Sequence, residues 1–181
     1  MKDLREFNIQ FVGLKEGNHL YTYDIDNTFF SYFDYDEFKS SSIQVSLDFV
    51  KKSTLLELTF NAKGYVEVPC DTTGELYNQE IDAVLPLIVN FGIEFNDDNE
   101  EILILPHEAY EFNVAQYIYE MIVLAVPLKR IHPGVLDGSL ESATLSKLKE
   151  LDSNRVEKTV EETETDPRWD KLKNLITEKK T

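Results

Sequence analysis

The side chains of this chain that could do chemistry are one cysteine, three histidines and 34 carboxylates. Cys70 sits in Val66-Glu67-Val68-Pro69-Cys70-Asp71-Thr72-Thr73-Gly74-Glu75, an alternating run that breaks into a turn. A nucleophilic thiol needs a base or cation beside it to lower its pKa, and no basic residue adjoins Cys70 in sequence. Its place on one face with Val66 and Val68 makes it a small buried apolar group. The densest carboxylates, Asp97-Asp98 and Glu100-Glu101, could hold a hard cation through oxygen ligands. They fall between apolar runs, however, where acids are simply solvated in a turn. His19 follows a Gly17-Asn18 turn, His107 follows an apolar run and His132 precedes Pro133-Gly134. No Ser, His and Asp grouping has nucleophile-elbow spacing, and no glycine-rich loop could cradle a phosphate. The expectation is a protein that is not an enzyme and works by binding, with no cofactor.

The charge distribution narrows what could be bound. The chain carries 18 basic and 34 acidic residues, net −16. Between Gly64 and Leu128 there is no lysine or arginine, against thirteen Asp and Glu. Such a body repels a phosphate backbone and attracts cationic partners, or serves as a solubility surface. Contact with an anionic partner would have to use cations outside that stretch, notably Lys129, Arg130, Arg168, Lys171 and Lys173. Arg168 could hold a phosphate or pair with an acid of the body. Trp169, the only tryptophan, could stack a base or fill an apolar pocket. Phe29, Phe30, Tyr32, Phe33, Tyr35 and Phe38 are spaced as core and rim among acids.

The elements that must position these residues are mostly strands. Phe7, Ile9 and Phe11 alternate with polar residues, as do Tyr21, Tyr23 and Ile25, and Ile43, Val45, Leu47 and Phe49. Leu56, Leu58 and Phe60 follow, then Val66, Val68 and Cys70, then Leu85, Leu87, Val89 and Phe91, with a short apolar strand at 102–105. Residues two apart share a sheet face, so each set lines one buried surface. Ser31–Lys39 reads as a short connecting helix. At 112–126 the period becomes helical, with Asn113 as N-cap and Gln116 and Glu120 marking the exposed stripe. The fold class is α+β: a mainly antiparallel curved sheet or partly open barrel, one buried helix, and a tail helix. Three parts are expected: a β-rich domain over 1–133, an acidic mobile linker over 134–165 and a docking helix over 166–177. Leu140, Leu145, Leu148 and Leu151 give the linker loose helical spacing. Asp166 is the N-cap of the tail helix, Pro167 suits its first position, and Trp169, Leu172, Leu175 and Ile176 share one face. That face packs on its own sheet or engages a partner. A lone cysteine, an acidic N-terminal stretch and no apolar run near the ~20 residues of a bilayer span lead to a cytoplasmic, non-membrane expectation.

Three segments in order carry a family resemblance: Val66–Leu76, then Phe112-Asn113-Val114 with Glu120–Pro127, then Asp166-Pro167-Arg168-Trp169 with Leu172 and Leu175. Over most of residues 40–176 the chain resembles the YceD family of large-subunit ribosomal RNA accumulation proteins. In that family a strand ends in a Cys-x-x-Cys turn, an acidic region and a Pro-terminated segment follow, and many members close on Asp-Pro-Arg-aromatic. The resemblance implies a ribosome-assembly factor supporting accumulation of 23S ribosomal RNA, with ribosomal RNA or the pre-ribosomal large subunit as partner. It marks Cys70, Gly74, Pro127, Asp166 and Pro167 as structural motif positions and places Arg168, Trp169, Lys171, Leu172, Lys173, Lys129 and Arg130 as partner-binding candidates. Thr73 stands where the family often has its second cysteine, and His132 where some members have cysteines after the proline. Zinc wants four ligands and Cys70 with His132 supplies two, so no structural metal is expected. The acidic body leaves a second function open, an escort or chaperone for a basic ribosomal protein.

Overall fold

The computed structural model describes residues 4–99 and 101–159. The chain divides into two compact units, residues 1–136 and 137–181. In the first, a 3-10 turn at Leu4–Phe7 leads into β1 (Asn8–Gln10) and β2 (Gly17–Ile25). Helix α1 (Asn27–Phe30), a 3-10 turn at Ser31–Phe33, β3 (Ser40–Lys51), β4 (Leu55–Pro69) and β5 (Leu76–Gly92) follow. Then come β6 (Asn96–Asn99), β7 (Ile102–Pro106), β8 (Glu111–Asn113), α2 (Ala115–Ala125) and α3 (Pro133–Leu136). The fold is α+β. A six-stranded sheet runs in the order β2-β3-β4-β5-β7-β6, and β1 pairs with β8 in a second, two-stranded sheet. The larger sheet is open, with β2 and β6 at its ends.

The alternating runs form the strands the sequence predicts. In β3 the buried residues are Ile43, Val45, Leu47 and Phe49, each at most 3% exposed, with their neighbours turned to the other face. Each such side chain contributes about 1.5–3 kcal/mol when fully buried. The two apolar sets Leu56–Phe60 and Val66–Cys70 share a parity, and Ala62 and Gly64 join them into one unbroken strand. Gly64 permits that continuity. A Cβ at this position would stand 2.1 Å from the Ser42 carbonyl oxygen, and its φ is +156°, so only glycine lets β3 and β4 close there.

The structure departs from the antiparallel expectation at one pair. β7 lies parallel to β5, with Ile88 opposite Ile102 and Gly92 opposite Pro106. The chain reverses twice after Gly92, so β6 becomes the outer strand and β7 enters between it and β5 running in the direction of β5. Asp97 and Asp98, expected in a turn, therefore lie on an exposed edge strand. The short helix expected over 31–39 forms earlier, at 27–30. Asp26 caps it by accepting from the Thr28 and Phe29 amides, and the left-handed Asp34 (φ 52°) ends the 3-10 turn that follows.

Helix α2 starts later than the expected residue 112, because Glu111–Asn113 pair with β1. The N-cap is Val114, not the expected Asn113, and Val114 makes no side-chain cap bond. The Asn113 side chain, one position earlier, accepts from the Ala115 amide at 2.8 Å. Ala115, Ile118, Met121 and Ile122 are buried, at helical spacing, on the face toward β4 and β5. Leu124, at the flank of that face, is 82% exposed. Phe29, Phe30 and Phe38 are buried and Tyr32, Phe33 and Tyr35 half-buried, the core and rim anticipated. Phe33 stacks on Tyr119 of α2 with ring centroids 4.3 Å apart.

In the second unit, α4 (Ala143–Thr159) is a 17-residue helix inside the stretch expected as a linker. Ser142 starts it, its hydroxyl accepting from the Thr144 amide and its carbonyl from that of Ser146. Leu145 is half-buried, while Leu148 and Leu151 are exposed. The docking helix expected over 166–177 lies outside the described residues. No helix among the described residues is long and apolar enough to cross a membrane.

Candidate functional site

The residues singled out in the body converge where β4 turns into β5. The Cys70 amide donates to the Glu75 carbonyl at 2.8 Å and the Gly74 amide to the Cys70 carbonyl at 2.8 Å. Gly74 takes φ +76° with open space around it, so the backbone conformation and not crowding selects glycine. The Thr73 hydroxyl accepts from the Glu75 amide, which gives the turn a side-chain brace.

After α2 the chain runs back across this turn. The Asp71 amide donates to the Arg130 carbonyl at 2.8 Å, and the Arg130 amide to Asp71 Oδ2 at 2.7 Å. The His132 amide donates to Cys70 Sγ at 3.3 Å. Arg130 Nη1 reaches Glu37 Oε2 at 3.1 Å and its Nε lies 3.6 Å from Asp71 Oδ1. Residues 130–132 thus form a strap over the hairpin turn. The His132 ring meets Tyr77 edge-on at 5.4 Å, and its Nδ1 accepts from the Gly134 amide at 2.9 Å.

Cys70 is 2% exposed, covered by this strap. Burial raises its pKa, but donors aimed at the sulfur outweigh that. The His132 amide, the Thr73 side chain and the Thr72 and Thr73 amides together bring the thiol down to about 7. The sequence shows no basic neighbour, and the thiolate is favoured instead by N–H dipoles of the turn and strap. Burial, and then the Glu37 charge, push the Tyr35 phenol up to about 12.

The donor set does not fit a four-ligand zinc site. His132 Nδ1 is turned to Gly134, and both Asp71 oxygens face Arg130. Among the described residues no three His, Cys, Asp or Glu stand together to hold a metal ion.

Of the positions named from sequence, Cys70 and Gly74 build the turn, and Pro127 is exposed just beyond α2. Lys129 is exposed. Arg130 is not, its side chain being 24% exposed and paired with two acids. Asp166, Pro167, Arg168, Trp169, Lys171, Leu172 and Lys173 lie outside the described residues. The sequence reading did not find Glu37 or the pairing role of Asp71, which stand 93 and 59 residues from Arg130, too far for any local pattern to link.

Residues 58–176 match the family model described as large ribosomal RNA subunit accumulation protein YceD. The chain belongs to the YceD family. The matched region begins within β4 and takes in the hairpin turn, α2 and the strap, while β1, β2 and β3 lie before it. No curated protein matches the chain, and no solved structure does. In this YceD protein the Cys70 turn keeps amide donors on its sulfur with Thr73 in the second cysteine place. Hydrogen bonds and the Arg130 ion pairs fasten the strap.

Proposed function

We propose that this YceD-family chain is a ribosome-assembly factor that supports accumulation of large-subunit (23S) ribosomal RNA by binding, without catalysis, in the cytoplasm. Family membership carries this reading. The covered Cys70, closed off by the strap, supports a structural role for the one thiol. Depleting the protein in cells should lower mature 23S relative to small-subunit RNA, and re-expression should restore it. Unchanged RNA levels would overturn the reading. Trp169→Ala should fail to restore them while leaving the melting of the purified protein nearly unchanged.

A second reading is favoured by one observation, the pairing of Arg130 with Glu37 and Asp71. A cation so held has little left to offer a phosphate, and the stretch from Gly64 to Leu128 has none. This favours direct contact with a basic ribosomal protein, the RNA effect being indirect. Capture from lysate with and without RNase separates the two. RNA-bridged partners disappear on digestion, whereas a directly bound ribosomal protein remains. Arg168→Glu should weaken an RNA contact strongly and leave an acidic grip on a cationic protein intact.

A further inference from the structure

We propose that the open edge of β5 between Asn78 and Val84 is a docking site for an extended, basic segment of a protein partner, which adds there as a strand. The site rests on the second reading above, direct contact with a basic protein.

The backbone sets the edge. In an antiparallel ladder the N–H and C=O of one residue point to the same side, and successive residues alternate. At one end of β5 the Cys70 amide donates to the Glu75 carbonyl; at the other the Ile88 amide donates to Glu101, away from β4. The β4–β5 register runs from Pro69–Leu76 to Leu55–Asn90 without a slip. Odd residues of β5 therefore bond β4, and even ones point away. β7 covers only Ile88–Gly92. Asn78, Glu80, Asp82 and Val84 thus present their backbone groups with no strand beside them among the described residues. The Glu80 carbonyl accepts a local bond from the Gln79 side chain. Pro86, of the same parity, has no N–H to offer and bounds the edge.

The space beside this edge is open. A groove of about 960 Å³ is lined by Asn78–Asp82 of β5, by Lys63–Tyr65 of β4 and by Ala125 at the end of α2. A second cavity, of about 300 Å³, joins Leu85 and Leu87 to Met121 and Leu124. A strand laid here would continue the line of β7. Its inward side chains would cover Leu124, 82% exposed, and Ala125. Its outward side chains would stand beside Glu80 and Asp82, with Glu67 one strand further on the same face.

Charge selects the occupant. Lys63 approaches Asp82 at 3.8 Å, but both side chains are more than two-thirds exposed, so the pair offsets little of the negative field. Lys or Arg at alternate outward positions matches Glu80 and Asp82. A second copy pairing antiparallel about Ile81 would set Glu80 opposite Asp82 of its mate, and like charges directly opposite destabilise a ladder. Added strands take their affinity from main-chain bonds and their selectivity from alternate side chains.

The test titrates the full chain with a peptide of alternating Lys and Val, and with the same peptide N-methylated at every residue, which keeps the charges and loses every N–H. Hydrogen exchange at the Asn78, Glu80, Asp82 and Val84 amides should slow by about tenfold or more with the first peptide only, and the second should bind at least about tenfold more weakly. Val84→Pro removes an edge N–H that no β4 bond uses, as Pro86 already does, and should weaken the first peptide by about tenfold. Should that variant fail to fold, the two peptides on the wild-type protein still decide. Equal binding of both peptides would reduce the contact to charge alone and overturn the site. Edge amides already protected without peptide, a dimer abolished by Val84→Pro, or protection by an oligouridylate would each assign the edge to another occupant and overturn it too. Ribosomal-protein capture that survives RNase and also survives Val84→Pro overturns the site while the escort reading stands. Edge binding of the peptide without any such capture leaves the site and overturns the reading.

Discussion

The backbone amide of His132 donates to the sulfur of Cys70 across 62 residues of chain. This bond ties the segment after α2 to the β4–β5 turn and, with the Thr72 and Thr73 donors, lowers the pKa of the one thiol.

The Cys70 thiol should titrate near pH 7, followed by thiolate ultraviolet absorbance; a midpoint at the ordinary value of 9.0 would remove the donor argument. The folded pKa lies below the unfolded one, so the stabilisation is complete above the unfolded value and is lost as pH falls through the folded one. The melting temperature of wild type relative to Cys70→Ser should therefore rise from pH 7 to pH 9. The span corresponds to on the order of 2–3 kcal/mol.

Arg130→Ala should cost about 1–2 kcal/mol in urea unfolding, mostly from freeing the strap and leaving Asp71 with one partner fewer. A double-mutant cycle with Glu37→Gln should give a coupling below about 1 kcal/mol, because Glu37 is 56% exposed and screened by water. A coupling several times larger would mean the pair is better shielded than its exposure indicates.

Gly64→Ala should be the most damaging small substitution in the sheet, at about 3 kcal/mol or more, since the added methyl meets the Ser42 carbonyl at 2.1 Å. Denaturant melts should show it as a fall in midpoint. A near-neutral result would mean β3 and β4 can part at this point without loss.

Ile118→Ala and Ile122→Ala should each lower stability by about 2–5 kcal/mol, both residues being fully buried. Leu124→Ala, at an exposed position of α2, should stay within about 0.5 kcal/mol in the same measurement.

Local pattern and composition determined a good part of this protein. Ile43–Phe49 and Leu56–Phe60 announce strands because side chains two apart share a face. Asn113 announces the start of α2 because its side chain can satisfy an unpaired amide nearby. The three ordered segments that resemble the YceD family are likewise legible in the chain alone, and the family match bears them out. Tertiary structure decided what depends on residues far apart. That β7 runs parallel to β5 follows from where the chain returns after Gly92, and periodicity is the same for either direction. The helix at Ala143–Thr159 is signalled only loosely, by Leu145, Leu148 and Leu151 at helical spacing among polar residues. Arg130 reads as a free cation in a list of residues, yet folding places Glu37 and Asp71 against it. Cys70 reads as an inert apolar group, yet folding surrounds it with amides. Charge neutralisation and pKa depend on distances of a few ångströms, and the chain sets those distances only once β4, β5 and the strap have come together.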